Sequence, residues 1–260
     1  MRELDFQLTL IDSAQVFHWK KIGGHFAAAV NGRIMTESDQ SQEAAQYFDD
    51  DRDYSILAKD CASYEQAARA VKKLSGLRVL NQPAWETVVA FILSANNNVS
   101  RIRNLVLSLC AAYGEPLSYC RQTLYTFPKP AVLAAQKPDI LRKIVTCGYR
   151  AEYLIETASM IAEGFDLEAL KHMPLDSARK ELMRLKGVGP KVADCILLFG
   201  CGHTDAFPVD VWVKRLMENW FHITGNPQRI SDKAREMLGP NCGLIQQALF
   251  HAARCGIIEV

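Results

Sequence analysis

The rhythm of apolar and polar positions changes once along this chain. Over residues 1–60 the apolar stretches are short and separated by turn residues. Phe6 to Ile11 alternates roughly, Gln15 to Ile22 ends at Gly23-Gly24, His25 to Val30 ends at Asn31-Gly32, and Arg33 to Thr36 follows. Asn-Gly between two apolar runs is the strongest short-range hairpin signal. The spacing predicts strands and a small antiparallel sheet, with the acidic stretch Phe48 to Tyr54 as its exposed exit. From about Ser63 the period becomes helical. Helices are predicted over Tyr64 to Leu74, stopped by Gly76, over the strongly apolar Pro83 to Ser94, and over Val99 to Tyr113, ended by Gly114. The proline-richer residues 115–138 predict short helices and loops. Asp139 is expected to cap a helix from Ile140 to Cys147 that Gly148 closes, and Tyr149-Arg150 to begin another reaching about Glu163. Leu182 to Phe199 reads as helix, tight turn, helix, and a third helix starts at Asp210. Gly225-Asn226-Pro227 breaks the chain before a last helix from about Gly243 to Ala253. The expected fold is α+β: a small N-terminal antiparallel sheet over residues 1–62, then a two-lobed helical domain over residues 63–260 containing a helix–hairpin–helix motif, with the site between the lobes.

Composition narrows the class. The chain has 260 residues, 49% of them hydrophobic, enough for a substantial core. No apolar run is long enough to span a bilayer, and Met1 to Phe6 lacks the apolar segment of a signal peptide. The expectation is a soluble cytoplasmic monomer with no membrane partner, nucleoid-associated in a bacterium or nuclear in a eukaryote. The eight cysteines, at 61, 110, 120, 147, 195, 201, 242 and 255, include no C-x-x-C pair. They are expected as reduced thiols, with no zinc or iron–sulfur site, no other metal and no cofactor. Net charge is only +1, but it is unevenly spread. Residues 1–60 carry 6 Lys/Arg against 11 Asp/Glu, and residues 101–150 carry 8 against 2. A basic middle of this kind suits phosphate contacts, although an ordinary solvated surface would look the same.

Chemistry concentrates in the predicted hairpin. Gly187 and Gly189 bracket Val188 in a tight turn, and Pro190 suits a first helical position. The first-turn amides of the following helix have no intrahelical partner, so they can meet an anion such as a DNA phosphate. Lys191 stands in that turn, where the helix dipole and burial both favour a neutral, nucleophilic amine. Asp210 opposes this by attracting a charged lysine. Cys195 shares a helix face with Lys191. Asp210 lies nineteen residues beyond Lys191 and suits an N-cap. Singly, a first-turn lysine is usually a solvated charge and an aspartate before an apolar run usually only a cap.

Leu185-Lys-Gly-Val-Gly-Pro-Lys191 followed by Pro208-Val-Asp210 resembles the helix–hairpin–helix plus Gly/Pro…Asp signature of a DNA glycosylase superfamily. Lysine at 191 is similar to its bifunctional members, and Asn96-Asn97-Asn98, Gly148-Tyr149-Arg150 and Gln246…Phe250 narrow the resemblance to 8-oxoguanine DNA glycosylase/AP lyase. That resemblance implies a base-excision repair enzyme acting on double-stranded DNA that contains an oxidised purine, preferentially opposite cytosine. It implies attack of Lys191 on C1′, charge stabilisation by Asp210, and a strand nick by β-elimination through a Schiff base. Gln246 would read the flipped base, with Phe250 and Cys195 on its two faces. Tyr149 would wedge into the duplex, Asn96, Arg101 and Arg150 would contact the orphaned cytosine, and the Gly187–Gly189 turn would meet phosphate. A main-chain carbonyl that the family takes from glycine falls here on Ala14. Trp212 is a second departure, standing where the commonest eukaryotic form has histidine. The alternatives are a bifunctional glycosylase for another oxidised base and a non-catalytic helix–hairpin–helix DNA-binding module.

Overall fold

The computed structural model describes residues 4–259. A helical turn, Leu8–Asp12, precedes a three-stranded antiparallel sheet in the order β1 (Lys20–Ile22), β2 (His25–Val30), β3 (Arg33–Thr36). Asn31 and Gly32 both take positive φ, as the expected two-residue turn demands. The strand expected over Phe6 to Ile11 does not form. The Asp5 carboxylate accepts the Leu8 amide at 2.9 Å, an N-terminal cap that commits the segment to a helical turn. Residues 41–60 are also helical, in α1 (Gln42–Tyr47) and α2 (Ile56–Asp60), with Ser41 capping α1 through the Ala44 amide. The acidic stretch is a braced corner and not the exposed exit expected: Phe48 is buried in the sheet's core, and within 48–54 only Asp51 and Asp53 are exposed. Asp49 receives Arg52 at 2.5 Å, the Tyr54 hydroxyl at 2.9 Å and Asn81 at 3.1 Å.

The helical body follows: α3 (Glu65–Lys73), α4 (Ala84–Ser94) and α5 (Val99–Tyr113). A second hairpin, β4 (Pro116–Tyr119) with β5 (Gln122–Tyr125), stands where only short helices and loops were expected. Its turn residues, Cys120 and Arg121, hold positive φ without glycine or asparagine, which hid the signal. Leu124 packs against Ile22, Ala27 and Ala29, so the hairpin covers the first sheet. Then come α6 (Pro130–Ala134), α7 (Pro138–Val145), α8 (Arg150–Ala162), α9 (Leu175–Leu182), α10 (Pro190–Gly200), α11 (Val211–Phe221), α12 (Pro227–Leu238) and α13 (Cys242–Arg254). α7 begins two residues earlier than expected, with Pro138 at its start and Asp139 inside the first turn, bonded to Arg142. Left-handed Thr146, not Gly148, ends it. Gly225-Asn226-Pro227 starts a helix as well as breaking one, because Asn226 caps the Arg229 amide at 2.9 Å ahead of Pro227.

The core lies where α4 meets α10. Both are apolar on nearly every face, as interior helices are. Phe91 stacks on Phe199 with ring centroids 5.4 Å apart. The first sheet has its own cluster around Trp19, Met35, Phe48 and Leu80, and Arg103 of α5 ties it to the body by donating to the carbonyls of Ile11 (2.8 Å) and Trp19 (3.3 Å). Among the described residues no helix is long and apolar enough to cross a membrane.

Candidate active site

α9, the turn 183–189 and α10 form the expected helix–hairpin–helix. Gly187 has φ +80°, and a Cβ there would sit 2.6 Å from the Tyr153 ring of α8. The Thr157 hydroxyl, also on α8, donates to the Lys186 carbonyl at 3.0 Å, so the hairpin is moored to that helix. Gly189 is the N-cap of α10 with φ −93°, and a Cβ on it would meet nothing within 4 Å. Nothing inside the protein therefore demands glycine at 189; a group approaching from outside would.

Lys191 lies half-buried in the first turn of α10, its Nζ 5.3 Å from the centre of the Phe91 ring. Phe91 in turn contacts Phe17 edge-on and stacks on Phe199, with ring centroids 6.0 and 5.4 Å away. Asp210 caps α11, and its Oδ1 accepts the amides of Trp212 (3.0 Å) and Val213 (2.8 Å). Lys191 and Asp210 line one cleft of about 970 Å³, which Ala14, Asn96, Trp212 and Phe250 also border. Among the described residues the two are not in salt-bridge contact with each other.

The inner end of the cleft narrows to a recess of about 50 Å³ formed by Ala14, Phe91, Lys191, Cys195, Gln246 and Phe250, with Asp210 at its edge. Gln246 is only 4% exposed. Its Nε2 donates to the Pro208 carbonyl at 3.0 Å, whereas its buried Oε1 has no partner. Burial pushes the Cys195 thiol up to about 11, with the Lys191 charge pulling the other way. Cys195 is thus a neutral thiol at pH 7, suited to packing rather than nucleophilic attack. The Arg254 guanidinium lies 5.7 Å from the Phe250 ring. Ala14 has φ +61°, so the backbone takes a left-handed turn without a glycine.

A second group gathers at the outer rim. Asn96 is exposed at φ +50°, and its Nδ2 donates to the Tyr149 hydroxyl at 3.3 Å. Tyr149 is 46% exposed, stands edge-on to Tyr153 and lies 4.4 Å from the Arg150 guanidinium. Arg150 itself is buried, and it donates to the carbonyls of Ala95 (3.0 Å from Nε) and Cys147 (3.3 Å). As folded, it braces the Asn96 loop instead of facing solvent. Arg101 is exposed at the start of α5, whose cap is Asn98. Sequence reasoning missed Phe91 because it sits within a run of six apolar residues in α4; only its position beneath Lys191 marks it.

Fold and site together define a helix–hairpin–helix protein with a lysine and an aspartate at the head of a cleft. Residues 89–240 match the model of the HhH-GPD superfamily of base excision DNA repair proteins, and the chain belongs to that family. Over 206 residues it is 36% identical to a probable N-glycosylase/DNA lyase of Methanothermobacter thermautotrophicus, covering 71% of this chain and 66% of that one. It is 34% identical over 178 residues to the N-glycosylase/DNA lyase of Saccharomyces cerevisiae, covering 63% and 47%. The chain thus spans from about half to two-thirds of these curated relatives. A solved structure of Clostridium acetobutylicum 8-oxoguanine glycosylase/lyase, with double-stranded DNA containing cytosine opposite 8-oxoguanine, superposes with a TM-score of 0.91 at 29% identity, over 99% of this chain and 94% of that one.

Proposed function

We infer that this chain is a bifunctional DNA glycosylase/AP lyase that excises 8-oxoguanine from duplex DNA, preferentially opposite cytosine, and then nicks the strand. It works as a monomer wherever the cell keeps its DNA, with residues 1–62 and 63–260 as its two domains. The observation that carries this reading is the half-satisfied carboxamide of Gln246, in a recess that Cys195, Phe250, Lys191 and Asp210 also line. A buried acceptor without a donor is costly, and an N–H on the edge of an extruded base would satisfy it. The recess is smaller than a purine, so Phe250, only partly buried, moves aside to admit one and stacks on it.

Lys191 attacks C1′ through its Nζ. The Nζ–C1′ bond forms as the bond from C1′ to the base breaks, and the base leaves with the bonding electrons and takes up a proton. Asp210, oriented in advance by two main-chain amides, stabilises positive charge developing on the sugar. The sugar ring opens to a Schiff base on Lys191. Loss of a C2′ proton then expels the 3′ phosphate and cuts the strand. At the rim, Tyr149 fills the hole left in the stack and Asn96 and Arg101 reach the orphaned cytosine. Arg150 joins them once it releases the Ala95 carbonyl. Gly189, which nothing inside the protein crowds, lets the hairpin amides approach a phosphate.

Borohydride trapping on a duplex with one 8-oxoguanine opposite cytosine tests the reading. A covalent adduct is expected with the wild type and not with Lys191→Gln. No adduct from folded, DNA-binding wild type would overturn the lyase assignment.

A further inference from the structure

The carbonyls of Ser13, Ala14 and Gln15 have three different fates. Gln247 of α13 donates from Nε2 to the Ser13 carbonyl at 2.8 Å, and Gln82, just ahead of α4, donates from Nε2 to the Gln15 carbonyl at 2.9 Å. Among the described residues no donor reaches the Ala14 carbonyl. Of the three residues, only Ala14 borders the cleft and its recess. Its φ of +61° is disfavoured for a residue with a Cβ. The surrounding network holds it there. Ser13 and Gln15 are fully buried, Gln247 is 2% and Gln82 6% exposed. The Gln15 side chain accepts the Leu80 amide at 2.9 Å and donates to the Arg78 carbonyl at 2.8 Å. Each buried amide would lose a partner if the turn relaxed, so the strained conformation is over-determined.

We propose that Gln247, together with Gln82, is a positioning residue for base recognition. It fixes Ser13 against α13, keeps Ala14 left-handed, and leaves the Ala14 carbonyl as the one acceptor of the three available to an N–H of a purine in the recess. Because Gln246 is its neighbour on α13, the same helix holds both acceptors that the base meets. The inference rests on the reading that the recess takes the extruded base.

The test is Gln247→Leu, close in volume but without an amide, assayed for excision of 8-oxoguanine and for nicking at a preformed abasic site. Excision is expected to fall at least tenfold, while nicking stays within twofold, since chemistry at the sugar does not use the Ala14 carbonyl. Adding Ala14→Gly should restore most of the excision, because glycine takes positive φ without a clamp. Excision within twofold of wild type in the single variant overturns the proposal. So does a parallel loss of both activities that Ala14→Gly does not repair. Should wild type excise no 8-oxoguanine, the functional reading falls and the clamp is tested on the backbone alone. A changed HN–Hα coupling at Ala14 in Gln247→Leu then supports it, and an unchanged one overturns it.

Discussion

At Gln246, a single side chain has one end bonded to Pro208 and the other end buried without a donor. Gln246→Leu removes the unsatisfied oxygen but orphans the Pro208 carbonyl, so the two effects offset. Stability should change by no more than about 1 kcal/mol, while 8-oxoguanine excision falls at least tenfold; denaturant unfolding and single-turnover assays read the two separately. Ala14 offers the converse case. Ala14→Gly relieves a left-handed alanine and should stabilise by about 0.5–1 kcal/mol, the left-handed strain outweighing glycine's extra backbone entropy. Trp212 is the third. The indole N–H groups of Trp19, Trp85 and Trp220 are bonded within the protein, whereas Trp212 is 37% exposed on the cleft rim beside Arg215. Duplex DNA should therefore quench tryptophan emission, and Trp212→Phe should abolish most of the quench. The sequence marked Lys191 and Asp210 by their place around the hairpin and marked Gln246 and Phe250 by resemblance to the glycosylase family, and the fold brings all four to one cleft and its recess. It did not reveal that Arg150 is buried, because burial depends on the Ala95 and Cys147 carbonyls supplied by other segments.

Among the elements, the long helices rich in apolar residues were legible almost to the residue, whereas α12 (Pro227–Leu238), largely polar, and the segments fixed by a few polar bonds were not. α4, α5 and α8 announce themselves by their apolar faces. The Leu8–Asp12 turn depends on one carboxylate at Asp5, and the β4–β5 turn on two residues that carry no turn signature. The three asparagines were read as a turn, but their division of labour was not. Asn96 takes the left-handed position, Asn97 bonds back to the Leu93 carbonyl at 2.8 Å, and Asn98 caps α5. The hairpin helices are joined by a buried ion pair that no pattern displays: Arg179 of α9 meets Asp194 of α10 at 2.6 Å, both 6% exposed in their side chains. Burial raises the Asp194 carboxyl to about 6, with Arg179 opposing the shift. Arg179→Met leaves that carboxyl buried without its partner and should cost about 3 kcal/mol at pH 8. The loss should shrink at pH 5, where Asp194 can shed its charge by binding a proton; thermal melts at the two values check this.

For the whole molecule, the seam between the first sheet and the helical body contains two titratable groups. His18 and Glu86 lie 3.8 Å apart, both buried. Burial lowers His18 to about 3, with Arg103 adding to the effect, and burial raises Glu86 to about 8. Above pH 4.5 unfolded Glu86 gives up a proton that the folded chain keeps, so stability falls as pH rises towards 8. Below pH 6.5 unfolded His18 binds a proton that the folded chain refuses, so stability falls as pH drops towards 3. The two trends oppose between those values and leave a plateau. Between pH 6.5 and 8 only the Glu86 trend remains, at up to about 1.4 kcal/mol per pH unit. Glu86→Gln should flatten it in urea unfolding measured across that range.

α13 carries its functions on two adjacent stripes. Gln246 and Phe250 form one, at the recess; Gln247 and Arg254 form the other, bonded to the carbonyls of Ser13 and Asp12. One residue turns an α-helix by about 100°. Deleting a single residue between Gly243 and Gln246 would rotate the first stripe off the recess and the second off the N-terminal loop in one step. Surface loops elsewhere in the chain can lengthen or shorten gradually over evolutionary time. This helix has no such gradual route, because its length is in effect a reading frame, and its phase can be kept or lost but not drifted.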